Sequence, residues 1–390
     1  MEYENLKECA KYSSLRTSRI TLDTYVSTEN MLPNKGGITT IDSIPDCKTV
    51  SKYEPTDILI SNIRPYFCKI WYATREGGCS NDVLVIKANK NIDSKFLYYV
   101  LSDNNFFNYD TVTSKGTKMP RGNKNAIMKY LVPKIELQTQ KKIASILSAY
   151  DSLIENNTKR IKLLEQMAEN LYKEWFVRFR FPGHENVEME NGLPKEWKIE
   201  RLGDICDSVG GGTPSTSNEK YWGGNIKWVT PTDITSKKSI PLINIEGRIS
   251  EEGLKHSSAK LLPAGTILMT SRASIGFFGI SKEQVCTNQG FISIIPNSVN
   301  MRMYMLYNLK LRKEEIVANA NGSTFLEISK GRFRKMKMIV PSNGVLSQFE
   351  DRCGTLFESV YNLEIQNKNL TRQRDFLLPR LMSGKLEVKP

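Results

Sequence analysis

Histidine is nearly missing from this chain: His184 and His256 are the only two in 390 residues. Zinc centres, Ser-His-Asp triads and Cys-His pairs are hard to assemble from that stock. Cysteine is sparse. The seven residues Cys9, Cys47, Cys68, Cys79, Cys206, Cys286 and Cys353 are an odd number and contain no C-x-x-C. That usage predicts reduced, mostly buried thiols and a cytoplasmic location. The longest apolar run, Phe96–Leu101, falls far below the roughly 18 residues of a membrane span. The polar opening Met1-Glu-Tyr-Glu-Asn5 predicts no secretory leader. Motifs for methylating a base amine (D/N-P-P-Y/F), for S-adenosylmethionine (F-x-G-x-G) and for helicases are also missing. Acid-x-Lys triplets such as Glu196-Trp-Lys198 and Glu387-Val-Lys389 are what a basic chain of this length yields by chance.

What is present is positive charge. The chain carries 55 Lys+Arg against 42 Asp+Glu, a formal +13. Such an excess predicts an anionic partner, most often nucleic acid; a basic enzyme with a solvated cationic surface fits the charge alone equally well. The length suits two or three domains.

The organisation is a repeat. Leu131-Val-Pro133 recurs as Ile339-Val-Pro341, and Asp57-Ile-Leu-Ile-Ser61 as Thr266-Ile-Leu-Met-Thr270. Cys79-Ser-Asn81 matches Cys286-Thr-Asn288, and Lys115-Gly-Thr117 resembles Asn321-Gly-Ser-Thr324. Before each "V-P" come short β-type runs broken by Gly, Pro, Asn and Asp. After each comes a helical stretch in a heptad frame.

In the first stretch Ile143, Tyr150, Asn157, Leu164 and Leu171 share one seam position, and Leu147, Ile154, Ile161, Ala168 and Trp175 the other. The second places Phe349, Leu356, Leu363, Leu370 and Leu377 with Cys353, Val360, Asn367, Arg374 and Leu381, Pro379 marking its expected end. Sustained heptads predict coiled-coil packing, and roughly 40 residues make a rod of about 60 Å. Two rods, each following its own globular half, pair most simply antiparallel with the halves at opposite ends. Asn157 and Asn367 either fix the register of the seam or lie solvated at its edge.

The expected plan is α/β (α+β): a globular unit over 1–134, a long helix over 135–181, a Pro/Gly-punctuated linker over 182–198, a second unit over 199–341, and a second helix with tail over 342–390. In the second unit Gly210-Gly-Gly-Thr-Pro-Ser-Thr216 lacks the frame of a phosphate-cradling loop. Beside Tyr221, Trp222 and Trp228 it suits a surface meeting a nucleic-acid backbone and base edges; a hairpin loop with tryptophans in the core fits as well, and for Trp228 burial is the expectation. Arg272 follows the strand Thr266–Thr270, as Arg64 follows Asp57–Ser61, either as base or phosphate contacts or in structural salt bridges. Ser114–Lys124 carries four cations and reads as a loop tracking phosphates or a merely solvated one. Its counterpart Asn321–Glu327 is nearly neutral. One scaffold with two different loops predicts two different targets.

The strings Gly211-Gly-Thr-Pro-Ser-Thr216, Tyr221-Trp-Gly-Gly224, Trp228-Val-Thr-Pro-Thr-Asp233, Leu171-Tyr-Lys-Glu-Trp-Phe176, Gly192-Leu-Pro-Lys-Glu-Trp-Lys198 and Leu377-Leu-Pro-Arg-Leu-Met-Ser-Gly-Lys385, set on this repeated layout, resemble the specificity subunits of type I restriction-modification systems. The resemblance covers essentially the whole chain. It implies two target-recognition domains, each reading half of a bipartite site in double-stranded DNA, with the helices setting the spacer and docking two adenine-N6 methyltransferase (modification) subunits, which restriction motor-nuclease subunits then join. The resemblance further implies a non-catalytic chain that binds no cofactor itself, with S-adenosylmethionine, ATP and magnesium serving the partners; no membrane partner is expected. The first unit lacks the Gly-Gly-Thr-Pro string and looks like another recognition subtype, with Arg16, Arg19 and Tyr25 near that loop region.

The candidate DNA contacts are Arg16, Arg19, Arg64, Lys115, Lys118, Arg121 and Lys124 in the first unit. In the second they are Thr213, Ser215, Tyr221, Lys227, Thr230, Thr232, Asp233, Arg272, Asn288, Asn321, Ser323 and Thr324. Three other assignments compete: a non-specific DNA-binding scaffold with a coiled-coil arm, a subunit of a methylation-only or double-cutting system, and an autonomous enzyme.

Overall fold

The computed structural model describes residues 2–236, 239–322, 325–386 and 388. The triplet at Glu387 and the candidates Ser323 and Thr324 lie outside them. The chain mixes helix and strand and divides into two compact units, Met1–Ile154 with Asn369–Pro390, and Glu155–Lys368. The divisions fall inside the long helices, so each unit owns part of each helix. Among the described residues no helix is long and apolar enough to cross a membrane.

The first unit runs β1 (Tyr3–Asn5), α1 (Leu6–Cys9), β2 (Ala10–Tyr12), β3 (Arg16–Thr17), β4 (Tyr25–Val26), β5 (Val50–Tyr53), β6 (Ile58–Ser61), β7 (Ile70–Tyr72), β8 (Gly77–Cys79), β9 (Val83–Ala88), α2 (Ser94–Ser102), α3 (Asn104–Thr113), α4 (Lys124–Ile127) and β10 (Leu131–Pro133), then enters α5 (Leu137–Tyr172). Two four-stranded sheets form, in the orders β2-β9-β6-β7 and β3-β5-β8-β4, and β1 pairs with β10. The central strands read as unbroken apolar runs because both faces are covered: Ile58, Ile60 and Ile86 meet Leu6, Phe96 and Leu97, while Leu59 and Val85 meet Val26 and Tyr53. Asp93 caps α2 by accepting from Phe96 N. Ile143, Ala144 and Leu147 of α5 share the first of these cores with Leu378, Leu381 and Met382 of the C-terminal helix, Asn343–Met382. One turn further along α5, Asp151 accepts from the Arg374 guanidinium and from the Tyr99 hydroxyl, both at 2.5 Å. The pairing is therefore antiparallel.

The second unit follows a small hairpin of β11 (Met189–Glu190) and β12 (Leu193–Pro194). It contains β13 (Lys198–Arg201), α6 (Leu202–Ile205), β14 (Cys206–Gly210), β15 (Trp222–Val229), α7 (Pro231–Thr235), β16 (Arg248–Ile249), α8 (Glu251–Lys255), β17 (Ile267–Thr270), β18 (Phe278–Ile280), β19 (Cys286–Thr287), β20 (Phe291–Pro296), α9 (Arg302–Leu311), α10 (Lys313–Ala318), α11 (Lys330–Lys335) and β21 (Lys337–Val340). The topology repeats that of the first: β14-β20-β17-β18 for β2-β9-β6-β7, and β13 with β21 for β1 with β10. Here too the helices run antiparallel, Ile161 meeting Val360 and Leu363, and Tyr172 meeting Phe349 at 6.2 Å between ring centroids.

Of the seam residues, Ile143, Leu147, Asn157, Ile161, Ala168, Trp175, Phe349, Cys353, Val360, Leu363 and Leu381 are buried. Tyr150, Ile154, Leu164, Leu171, Leu356, Asn367, Leu370, Arg374 and Leu377 are half-buried. Three details depart from expectation. The first helix stops being α at Tyr172 and closes with a π turn over Lys173–Val177, which swings Trp175 and Phe176 onto Phe349. The expected linker is partly core, since Trp197 is buried against Phe181 just before it. Pro379 lies inside the C-terminal helix rather than ending it, because burial of Leu378, Leu381 and Met382 keeps the last turn helical.

Candidate nucleic-acid interface

Hydrogen bonds supply a residue-by-residue match between the repeats. In the first unit Ser80 N donates to Val26 O, Asn62 N to Asp82 O and Arg64 N to Pro120 O, while Lys115 and Arg121 exchange both backbone bonds. In the second, Asn288 N donates to Val229 O, Ser271 N to Gly290 O and Ala273 N to Leu326 O, while Asn321 and Glu327 exchange both bonds. One pairing read from sequence shifts by one, and the arginine match, legible only to within a residue, is resolved. Cys79 stands opposite Val26 as Thr287 stands opposite Val229, so Cys79 matches Thr287 and not Cys286. Arg64 matches Ala273, both in the left-handed region at φ 50° and 58°, and Arg272 matches Ile63 through their bridges to Glu327 and Arg121. The two arginines occupy neighbouring positions of the same turn, not equivalent ones.

In the second unit the glycine loop is a packing device. A Cβ on Gly211 would lie 2.0 Å from Asn288 O, and one on Gly212 2.3 Å from Ser258 Oγ, so only glycine lets these backbones touch. Trp228, half-buried rather than buried, donates from Nε1 to Gly212 O at 3.0 Å, and Trp222 donates to Ser215 O at 3.1 Å. Thr213 then reaches the Gln289 amide oxygen on the turn between β19 and β20. Beside that turn opens a cavity of about 310 Å³ lined by Pro231, Arg272, Asn288, Gln289 and Phe325. Arg272 faces Glu327 at 3.9 Å, both half exposed. Two further cations come from the helix Lys330–Lys335: Lys330 lies along Gly210, and Arg332 donates to Asn321 Oδ1 at 2.9 Å.

Other candidates are engaged in local structure. Asp233 accepts from Thr230 N and Oγ1 as the capping box of α7. Tyr221 stacks on His256 at 5.5 Å, Lys227 pairs with Glu283, Ser215 bonds Ser217 at 2.7 Å, and Asn288 Oδ1 accepts from Gly290 N. Thr232 is exposed.

The first unit builds the same rim with other chemistry. Arg16 replaces Thr213: its guanidinium donates to Asn81 Oδ1 at 3.3 Å, the position of Gln289, and to Thr49 O at 2.9 Å. Arg121 pairs with Asp82 at 3.3 Å. Arg19, Arg64, Lys115, Lys118 and Lys124 are exposed. A polar cavity of about 560 Å³ borders Asp82, with Ser27, Asn30, Asp42 and Ser80 on its walls. Behind the rim Asp110 is fully buried, and neither of its carboxyl oxygens accepts a hydrogen bond from any of the described residues; burial pushes its carboxyl up to about 7.

Sequence reading passed over Asn81, Asp82 and Gln289 on the shared turn, and Lys330 and Arg332. The first three needed the corrected register. The last two were legible as the dense run Lys330-Gly-Arg-Phe-Arg-Lys335.

Residues 5–166 and 194–350 each match the family model described as the type I restriction modification DNA specificity domain. The type I restriction enzyme MjaIX specificity subunit of Methanocaldococcus jannaschii is 36% identical over 186 residues, which cover 45% of this chain and 43% of that protein. The HindI specificity subunit of Haemophilus influenzae is 24% identical over 433 residues, covering 93% of this chain and 94% of that one. The chain thus aligns with less than half of the first relative and nearly all of the second. The S subunit of a type I restriction-modification system from M. genitalium shares the fold, with a TM-score of 0.61 at 15% identity over 100% of this chain and 96% of that one. Because the family model matches once in each repeat and together spans most of the sequence, the chain belongs to the type I restriction-modification DNA specificity family.

Proposed function

We propose that this chain is the non-catalytic, sequence-specific DNA-binding subunit of a type I restriction-modification complex. Each unit reads one half of a bipartite target through the rim formed by the shared turn, the strand end and the hairpin. The paired helices set the unread spacer and dock two methyltransferase subunits, which methylate adenine with S-adenosylmethionine. Motor-nuclease subunits add ATP- and magnesium-dependent restriction, and the complex works in the cytoplasm. The exposed basic residues Arg19, Arg64, Lys118 and Lys124 then follow phosphates, while Arg16, Arg121, Arg272 and Gln289, held by neighbours, face base edges.

The observation that carries the reading is one backbone rim, built twice with the same hydrogen bonds, holding Arg16, Asn81, Asp82 and Arg121 in one copy and Thr213, Gln289, Gly290 and Glu327 in the other. A non-specific scaffold has no use for that difference. The test is a four-residue insertion after Thr158 with a matching one beside Gln366, in a host carrying the modification subunit. Methylome sequencing should return both half-sites unchanged with a different spacer; an altered half-site with the old spacer contradicts it.

A further inference from the structure

Each rim ends in a hairpin of the same length whose fifth residue is large, apolar and exposed. Lys115 and Arg121 close one hairpin and Asn321 and Glu327 the other. Each begins its turn with a positive-φ glycine, Gly116 or Gly322. Met119 in the first is 50% exposed and Phe325 in the second 58%. Neither hairpin hangs free. Arg64 N and Gly122 N tie the first to the strand end through Pro120 O and Asn62 O, and Ala273 N to Leu326 O and Ile328 N to Ser271 O tie the second. The apolar tip is thus presented by a clamped backbone.

Comparison of the two hairpins says what the tip is for. Charge differs at the closing positions, Lys115 against Asn321 and Arg121 against Glu327, whereas the fifth position is apolar in both. A group required whatever the target sequence, yet uncharged, contacts something every duplex offers other than phosphate. The stacked bases are that feature. Cations stand near both hairpins: Lys118 is the exposed neighbour of Met119 in the chain, Arg272 lines the same cavity as Phe325, and Arg332 bonds Asn321 at the base of the second hairpin, as a polyanion requires.

We propose that Met119 and Phe325 are apolar wedges that enter the base stack of the half-site read by their own unit, partly unstacking one step. The inference rests on the reading of this rim as a DNA interface. The wedges fix each unit along the duplex, and the charged and amide groups around them do the reading.

The test uses the complex assembled with its modification subunits and a duplex carrying its protected bipartite sequence. 2-Aminopurine is placed singly at each purine other than the methylated adenine. Fluorescence should rise at one step in each half on binding. Met119→Ala should abolish the rise in one half and Phe325→Ala in the other, each weakening the specific complex about ten- to hundredfold. Met119→Leu and Phe325→Leu should retain it. Both residues are exposed, and thermal melts check that the alanine variants fold. A flat signal in the unsubstituted complex, or an unchanged rise in both alanine variants, overturns the wedges while leaving the DNA reading intact. Loss of a modification subunit from the alanine variants on gel filtration assigns the tips to a protein contact and also overturns them. Uniform protection of random DNA overturns the underlying reading, and the wedges with it.

Discussion

Nδ2 of Asn157 donates to Oδ1 of Asn367 at 3.0 Å and to Oε1 of Gln366 at 3.0 Å, one turn from the apolar contact of Ile161 with Val360 and Leu363. A buried amide between facing helices is satisfied only in one register, and a slip of either helix strands it.

That pairing makes the two asparagines interdependent. Asn157→Leu leaves the Asn367 amide facing a methyl group and should cost about 1–3 kcal/mol. Adding Asn367→Leu should recover most of the loss, because an apolar pair suits the seam. Urea unfolding of the wild type, both single variants and the double variant measures the coupling; additive losses contradict it.

Asp110 predicts a pH dependence. Its carboxyl is shifted from the ordinary 3.8 up to about 7 by burial, so between those values the folded chain holds a proton that the unfolded chain has released. Stability from this group is therefore full below the window and falls as pH rises through about 7. Asp110→Asn removes the titration. Its advantage over the wild type should be small near pH 4 and grow to about 2–4 kcal/mol near pH 8, read from urea unfolding at several pH values. An offset independent of pH would place the cost elsewhere.

Gly211→Ala should damage one half of recognition. The added Cβ would sit 2.0 Å from Asn288 O and 2.3 Å from Thr287 O, so the turn that carries Gln289 must move. Competition binding with duplexes altered in one half-site should show about tenfold weaker discrimination, or ~1.4 kcal/mol, in the half read by the second unit and none in the other. Equal loss in both halves would mean global unfolding.

Much of the architecture was legible in the sequence because it rests on strong periodic signals. Heptads run through both helices, and strands buried on both faces, such as Ile58–Ser61 and Ile267–Thr270, read as unbroken apolar runs. The glycine string was legible as a loop but not as a packing device, since the close approach of Gly211 to Asn288 exists only after folding. The arginines could be matched only to within a residue for a related reason: one residue separates Arg64 from Ile63, the counterpart of Arg272, and only hydrogen-bond register resolves so small a shift. Asp233 was misleading because Thr-x-x-Asp is a helix-start signature as much as a polar contact. Pro379 stays helical because the apolar residues around it are buried, which propensity alone does not weigh.

Two independent readers on one chain is the claim beneath all of this. Replacing residues 199–341 with the corresponding segment of the HindI relative, and sequencing the methylome of a host carrying this chain with its modification subunit, tests it most directly. The account predicts that one half of the methylated motif changes while the other half and the spacer stay as they were. A motif changed in both halves, or methylation spread without any motif, would contradict it.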